Sequence, residues 1–353
     1  MIDGLKNWLG VLLWVSLSVA TACSGIERAA DLPGSAERNH QSKKSVSEVS
    51  FSHEPNVLHV FVGEQHFGDY VYFDRLTPRP YFAGVKAPAG IQVTRYRPPL
   101  AGQDLMDHAN MHPGVWLSFG DLSGNDYWRL KCVVEHERFI EKPRSDMGKG
   151  TFAVRNYYLD QSSENRIAQE EARYTVEVHP EGYLLAVESI FQPYGSTSRI
   201  VFGDQEDMGF SIRMHTALVE QFGGEIVDSE GRTGADSIWS QSADWIDYSG
   251  ELQGKWVGVT LIPHPGNFRE SWYHVRDYGL LTANPFGREA MGKGPRSEVI
   301  VKKGESLRLR FGVLIHSFDS KQSYNPVHGY RRSLEFVEGG TPKDRCGVSL
   351  PLS

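Results

Sequence analysis

The sequence predicts an all-β protein, a large antiparallel β-sandwich with few short helices. Apolar residues recur with period two along most of the chain, and the runs are short and separated by Gly and Pro. Stretches of helical period are scarce. With 36 Gly and 18 Pro in 353 residues, the punctuation is dense enough to end most elements within a few residues.

The N-terminus reads as an address. Lys6 precedes an apolar run over 8–20, too short for a permanent membrane anchor but suited to a signal peptide. Ala20-Thr21-Ala22 ahead of Cys23 places cleavage after Ala22, so residues 1–22 are expected to be removed. Small residues before a cysteine also fit a bacterial lipoprotein site, with Cys23 lipidated; ordinary signal peptidase accepts the same Ala-Thr-Ala. The expected location is outside the cytoplasm, in the periplasm or at the outer membrane through the lipid anchor. Residues 23–50 are rich in Ser, Ala, Glu, Arg and Lys and nearly devoid of large apolar side chains, so they read as a flexible tether. The sandwich domain is expected over 51–340, with a C-terminal tail over 341–353.

Within the domain, 57–62 is the first expected strand. Residues 129–134 read as another, with Cys132 packed on the face it shares with Leu130 and Val134. If Cys23 is lipidated, Cys132 and Cys346 remain, and a disulfide between them is the alternative. The runs 174–178 and 183–187 flank His179-Pro180-Glu181-Gly182 as a hairpin. In 210–215, alternation sets Phe210, Ile212 and Met214 on one face and Ser211, Arg213 and His215 on the other. Further strands are expected at 256–262, 298–301 and 307–313. One helix is expected over 327–337, stopped by Gly339-Gly340.

Composition bounds the function. Hydrophobic residues at 40% and aromatics at 11% supply a sizeable core. A net charge of -7 and a pI near 6.0 leave no basic stripe for phosphates, so nucleic acid is not the expected partner. No second apolar run is long enough to cross a membrane. There is no Gly-x-Ser-x-Gly elbow, Walker loop, dinucleotide fingerprint or Cys-x-x-Cys pair.

Chemistry-bearing residues concentrate in three stretches. The richest runs from Pro263 to Leu280 and closes with Asn284-Pro285-Phe286-Gly287; it gathers His264, Asn267, Arg269, Glu270, Trp272, His274, Arg276, Asp277 and Tyr278. Side chains able to move protons, grip anions and stack on rings read as one wall of a cleft. In the second, His108 and His112 are four apart, which on a helical turn would face them to one point, although Pro113-Gly114 argues against a long helix. A metal site would need a third ligand and oriented partners, so a base or hydrogen-bond donor is the favoured role. The third is the acidic turn Asp204-Gln205-Glu206-Asp207, either a carboxylate source for a cleft or a solvated turn. Trp116, Trp128, Trp239, Trp245, Trp256 and Trp272 lie near polar residues, as rings stacking on sugar faces would.

These segments together resemble an exported bacterial family labelled "methane oxygenase PmoA" or a domain of unknown function. The resemblance rests on Arg79-Pro80-Tyr81-Phe82 with Val93-Thr94-Arg95, on 107–112 and 116–121, and on Gly124-Asn125-Asp126-Tyr127-Trp128. Glu206-Asp207-Met208-Gly209 with Arg213, then Trp239, Trp245 and the 264–287 block, continue it. Many members carry a His-His pair where this chain has Met111-His112. The oxygenase label does not suit a chain without several membrane helices. The family's folding pattern resembles the galactose-mutarotase-like supersandwich, which implies carbohydrate chemistry by analogy.

The expectation is therefore an exported carbohydrate-active enzyme working by His-based acid/base chemistry in an aromatic-lined cleft. His274 is the expected general acid or base, because an imidazole of ordinary pKa near 6.5 transfers protons at neutral pH. His112 and His108 assist, and Arg276 with Arg79 and Arg95 holds a carboxylate or an enolate-like oxyanion. Trp116, Trp272 and Tyr278 form the stacking floor, with Glu206, Trp239, His264 and Asn267 as further substrate contacts. Hydrolysis, elimination and epimerisation remain open. No cofactor is favoured. The alternatives are a non-catalytic glycan-binding lipoprotein and a metal-dependent enzyme using His108, His112 and His274.

Overall fold

A computed structural model describes residues 48–338. The expected signal peptide, Cys23, nearly all of the tether, the Gly339-Gly340 stop and the tail with Cys346 lie outside the described residues.

The strands are β1 (Val49–Glu54), β2 (Val57–Val62), β3 (Gln65–Val71), β4 (Tyr81–Ala83), β5 (Val115–Phe119), β6 (Val134–Asp146), β7 (Lys149–Leu159), β8 (Arg166–His179) and β9 (Gly182–Pro193). They continue as β10 (Arg199–Phe202), β11 (Met208–Arg213), β12 (Glu225–Asp228), β13 (Ile246–Leu252), β14 (Lys255–Pro263), β15 (Trp272–Val275), β16 (Leu280–Asn284), β17 (Val299–Lys302) and β18 (Leu307–Phe318). The α-helices among the described residues are α1 (Ala235–Ile238) and α2 (Pro326–Glu338), the second at the place expected from its period. One eight-stranded sheet runs β1-β2-β3-β4-β5-β11-β16-β15, the other β12-β13-β14-β18-β9-β8-β7-β6, and β10 pairs with β17. Every pairing within the two sheets is antiparallel.

The sheets meet face to face through rings. Phe210 of β11 stacks on Phe311 of β18 at 4.9 Å, Phe119 of β5 meets Phe191 of β9 edge-on at 5.4 Å, and Tyr70 of β3 lies 4.9 Å from Tyr174 of β8. Such pairs add to the apolar area removed from water between the layers. The strand period decides which residues take part. Val115, Ile212, Leu281 and Val275 sit opposite one another across β5, β11, β16 and β15 and belong to the core. The intervening row, Trp116–Ser211–Thr282–His274, therefore points away from the opposite sheet. That outward row is the floor on which the candidate site is built.

One expected strand is absent. Residues 127–132 form turns, with Leu130 at φ 61°, and strand structure begins only at Val134. The turn is closed by the Lys131 and Cys132 amides, which both donate to the carbonyl of Asp126. Cys132 is buried and free, so burial was legible while the element was not.

In β11, Gly209 has φ +118°, and a Cβ there would stand 2.1 Å from the carbonyl oxygen of Ala283 on β16. Both the backbone angle and the neighbouring strand require glycine. Gly209→Ala is expected to destabilise the protein by roughly 2 kcal/mol or more, measured by denaturant unfolding; a change below ~0.5 kcal/mol would contradict this packing.

Candidate functional site

The outward row of the first sheet is roofed by three loops. Residues 95–114 lead into β5, 120–133 leave it, and 203–207 lead into β11; the β15–β16 hairpin supplies the remaining wall. Together they enclose a cleft of about 300 Å³ lined by His108, Met111, His112, Trp128, Arg129, Glu206, Asp207, His274, Arg276, Tyr278 and Leu280. His108 and His112 thus share one hollow with His274, which is distant from them in sequence.

Arg213 anchors it. Its side chain is fully buried on the outward face of β11, and it grips Asp107 through two hydrogen bonds of 2.7 Å. The same guanidinium donates to His112 Nδ1 at 3.2 Å and lies over the ring of Tyr278, 4.6 Å from its centroid. Because His112 accepts at Nδ1, its proton sits on Nε2. Burial, reinforced by Arg213, drives the His112 pKa well down, so the ring is neutral. His108 and His112 do approach each other, as the spacing predicts, but on a turn rather than a helix: the His112 amide donates to the His108 carbonyl and His108 has φ 49°. Their rings stack at 4.6 Å and 12°, and His112 stacks in turn on Trp116 at 5.2 Å. A column of rings therefore rises from the sheet to the half-exposed His108.

His274 faces this column from β15. It is 3% exposed, and its Nδ1 donates to the backbone carbonyl of Glu206 at 3.2 Å. Its Nε2 lies 3.3 Å from the Glu206 carboxylate, and Asp207 Oδ1 is 3.6 Å from Nδ1. Burial, with Arg276, outweighs the hydrogen bond to the Glu206 carbonyl and lowers its pKa to about 3. The ordinary value near 6.5 expected from sequence is corrected accordingly: the group is a neutral imidazole at physiological pH. Arg276 donates to Glu206 Oε1 at 2.7 Å and covers the half-buried Trp239 ring. Asp207 is bound by Arg129, yet burial raises its pKa.

Other expected site residues stand elsewhere. Arg79 is buried and spends its donors on the carbonyls of Met111, Tyr127 and Trp128 and on the Ser118 hydroxyl. Arg95 does likewise with the carbonyls of Leu105, Asp107, His108 and His112. Burial lowers them to about 9 and about 10, and both remain charged at neutral pH. Neither guanidinium lines the cleft, so the expected contact with a substrate oxyanion becomes the positioning of the loops that carry His108, His112 and Trp128. Trp116 and Trp272 are buried, beneath His112 and Arg269 respectively, which leaves Tyr278 as the half-buried ring of the expected stacking floor. Asn267 is tied to the backbone of Arg310 in both directions. His264 lines a separate cavity of about 360 Å³ with Asp244, Arg269 and Glu270.

Sequence reasoning gave no role to Arg129 or Met111 and left Asp107 and Asp207 at the margins; only the acidic turn before β11 signalled Asp207. The three imidazoles do not converge on one point as a metal site would require. His108 and His112 group with Asp107, whereas His274 groups with Glu206 and Asp207, each set holding its donor atoms within 4.8 Å. These are the residues that could hold a cation, but Asp107, Glu206 and Asp207 already face a guanidinium. The arrangement sets a buried neutral imidazole between two carboxylates, 3.3 Å from Nε2 and 3.6 Å from Nδ1, and with its pKa at about 3 the ring takes up a proton at neutral pH only when these carboxylates stabilise the imidazolium.

The Arg213–Asp107 pair makes a testable contribution. Asp107 is held at about 2, chiefly by its hydrogen bonds to Arg213 and His108 against the opposing effect of burial. A depressed carboxylate stabilises the fold fully above its unfolded pKa near 4 and loses that contribution as pH falls toward 2. Asp107→Asn is expected to lower stability at pH 7 by on the order of 2 kcal/mol, less than a fully buried pair because Asp107 reaches solvent. It should also flatten the acid limb between pH 4 and 2 in denaturant titrations. An unchanged limb would show that the pair does not hold the loop.

No curated protein is significantly similar in sequence. Among solved structures, the chain is similar to the galactosidase domain of an α-galactosidase–sucrose kinase (10% identity, TM-score 0.41), over 75% of this chain but only 41% of that one. It is also similar to a galactose mutarotase related enzyme from Lactobacillus acidophilus (9% identity, TM-score 0.33), over 76% and 98% of the two chains. A galactose mutarotase-like protein from Lactobacillus casei shares 8% identity at TM-score 0.33, over 76% and 100%. The sandwich assignment itself rests on the two sheets described above. The sequence pattern of DUF6807, a family of unknown function, matches residues 58–324, and this protein belongs to that family.

Proposed function

We propose that the protein is an exported carbohydrate-active enzyme that transfers protons at a sugar carbon or hydroxyl in the cleft beside His274. The observation that carries this reading is the buried His274 with carboxylate oxygens near both ring nitrogens, facing the His108–His112 column across a hollow of about 300 Å³. A space of that size takes one small ligand. Its walls are imidazole, guanidinium and carboxylate with Tyr278 as the accompanying ring, a lining suited to a hydroxyl-rich molecule.

In this reading His274 acts from its neutral form. It accepts a proton, and the Glu206 carboxylate 3.3 Å away stabilises the resulting imidazolium. Arg276 holds Glu206 in place and, with Arg129, offers N–H donors to a developing oxyanion. Asp207 Oδ1, 3.6 Å from His274 Nδ1, adds a second negative charge beside the imidazolium, which then returns the proton. His108 and Tyr278 orient the substrate. Hydrolysis, elimination and epimerisation all fit this set of groups. Proton transfer by side chains is sufficient, and no cofactor is invoked. Export, and attachment through a lipidated Cys23, are supported by the apolar run over 8–20 and the Ala20-Thr21-Ala22-Cys23 sequence.

The test is a screen of neutral and oxidised mono- and oligosaccharides for binding and turnover. His274→Ala is expected to lower kcat at least 100-fold while the Kd for the sugar changes less than tenfold, and Glu206→Gln to lower kcat at least tenfold. Full turnover by His274→Ala would refute the assignment. Sugar binding without turnover in the wild type would instead establish a glycan-binding protein.

A further inference from the structure

We propose that the β2–β3 hairpin carries a divalent-metal site, of the kind that takes zinc, formed by His59, His66 and Asp69. It is separate from the cleft and independent of the function proposed for it.

The residues gather because of one irregularity in the hairpin. His59 and Asp69 are direct cross-strand partners on the face opposite the buried Leu58, Val60 and Tyr70. His66 lies three residues before Asp69, and in a regular strand the two would point to opposite faces. The register slips between Val60 and Phe61, whose partners are Gly68 and His66, so Phe67 is an extra residue on β3. That bulge turns Phe67 into the core and His66 outward, onto the same face as Asp69 and His59. A bulge costs ladder hydrogen bonds, and here its product is the convergence of three potential ligands.

Convergence is close. His59 Nδ1 lies 2.7 Å and His66 Nε2 2.6 Å from the same oxygen, Asp69 Oδ1. The three donor atoms fall within 4.8 Å of one another. Tetrahedral zinc with ligands at ~2.0–2.1 Å separates its donors by roughly 3.3 Å, so each nitrogen must draw back from Asp69 Oδ1 by roughly 0.6–0.7 Å to admit the ion. The surroundings also fit. Glu54 Oε2 is 3.7 Å from His59 Nε2, placing a carboxylate behind the nitrogen that would not bind the ion, as the outer partners of metal-bound imidazoles do. The Phe61 ring packs edge-on against His66 at 5.4 Å and fixes its plane. All three ligands are part-exposed, with side chains 24–29% accessible, so an ion has an entry path and a fourth position for water. No guanidinium or ammonium is paired with Asp69 among the described residues, in contrast to the three cleft carboxylates.

The experiment uses the purified protein without a polyhistidine tag, stripped with chelator and titrated with zinc chloride by calorimetry. Cobalt(II) absorption reports the coordination. Wild type is expected to bind one equivalent at the hairpin with micromolar affinity or better. His66→Ala and Asp69→Asn are expected to weaken that affinity at least 100-fold and Glu54→Gln about tenfold, with His274→Ala leaving it unchanged. Thermal unfolding without metal should be alike in wild type and in the His66→Ala and Asp69→Asn variants, which keeps loss of binding distinct from loss of fold. Absence of stoichiometric zinc binding, or binding that survives His66→Ala and Asp69→Asn, overturns the proposal and leaves a hydrogen-bonded cluster. Binding lost on His274→Ala instead assigns the ion to the cleft and also overturns it.

Discussion

The contact on which the candidate site depends is the grip of Arg213 on Asp107. A guanidinium with no solvent exposure, on a strand at the middle of a sheet, needs its charge answered nearby, and the 95–114 loop supplies the carboxylate. Once Asp107 is held, the His112 ring is fixed by a second hydrogen bond from the same group, and Tyr278 is drawn beneath the cation. One side chain thereby ties two loops to β11. Arg95 reinforces the arrangement by collecting four carbonyls from that loop, and Arg79 does the same for the turn bearing Trp128. Buried arginines act here as rigid multi-donor struts for segments that have no ladder of their own to satisfy their carbonyls.

The same layout explains why the cleft contains an imidazole of depressed pKa. His274 stands on β15, the edge strand of its sheet, and faces away from the opposite sheet, so its desolvation comes from the loops that carry Trp128 and Glu206. Carboxylates approach it from the 203–207 turn, but each is shared with an arginine, Glu206 with Arg276 and Asp207 with Arg129. Burial, with the Arg276 charge nearby, keeps the ring neutral. The hairpin cluster of His59, His66 and Asp69 shows the opposite condition: among the described residues its carboxylate pairs with imidazoles and with no guanidinium.

The sequence by itself determined the layers and their faces. Alternation in 210–215 separates Phe210 and Ile212, which enter the core, from Ser211 and Arg213, which face the cleft. The hairpin at 179–182 and the helix over 327–337 were equally legible, because turn chemistry and the 3.6 period act within a few residues. His108, His112, His274, Arg276 and Tyr278 were recognisable as chemistry-bearing, and all line one hollow. What only the tertiary structure decided was which arginines and tryptophans are free to act. Arg79, Arg95 and Trp116 look like site residues in one dimension, yet loops folding back over the sheet bury them and engage the terminal nitrogens of both arginines. The expected strand over 129–134 failed for a similar reason, since the Asp126 carbonyl captures the amides that a neighbouring strand would need. Register, bulges and the depth at which a charge is buried depend on segments distant in the chain, and no local pattern carries them.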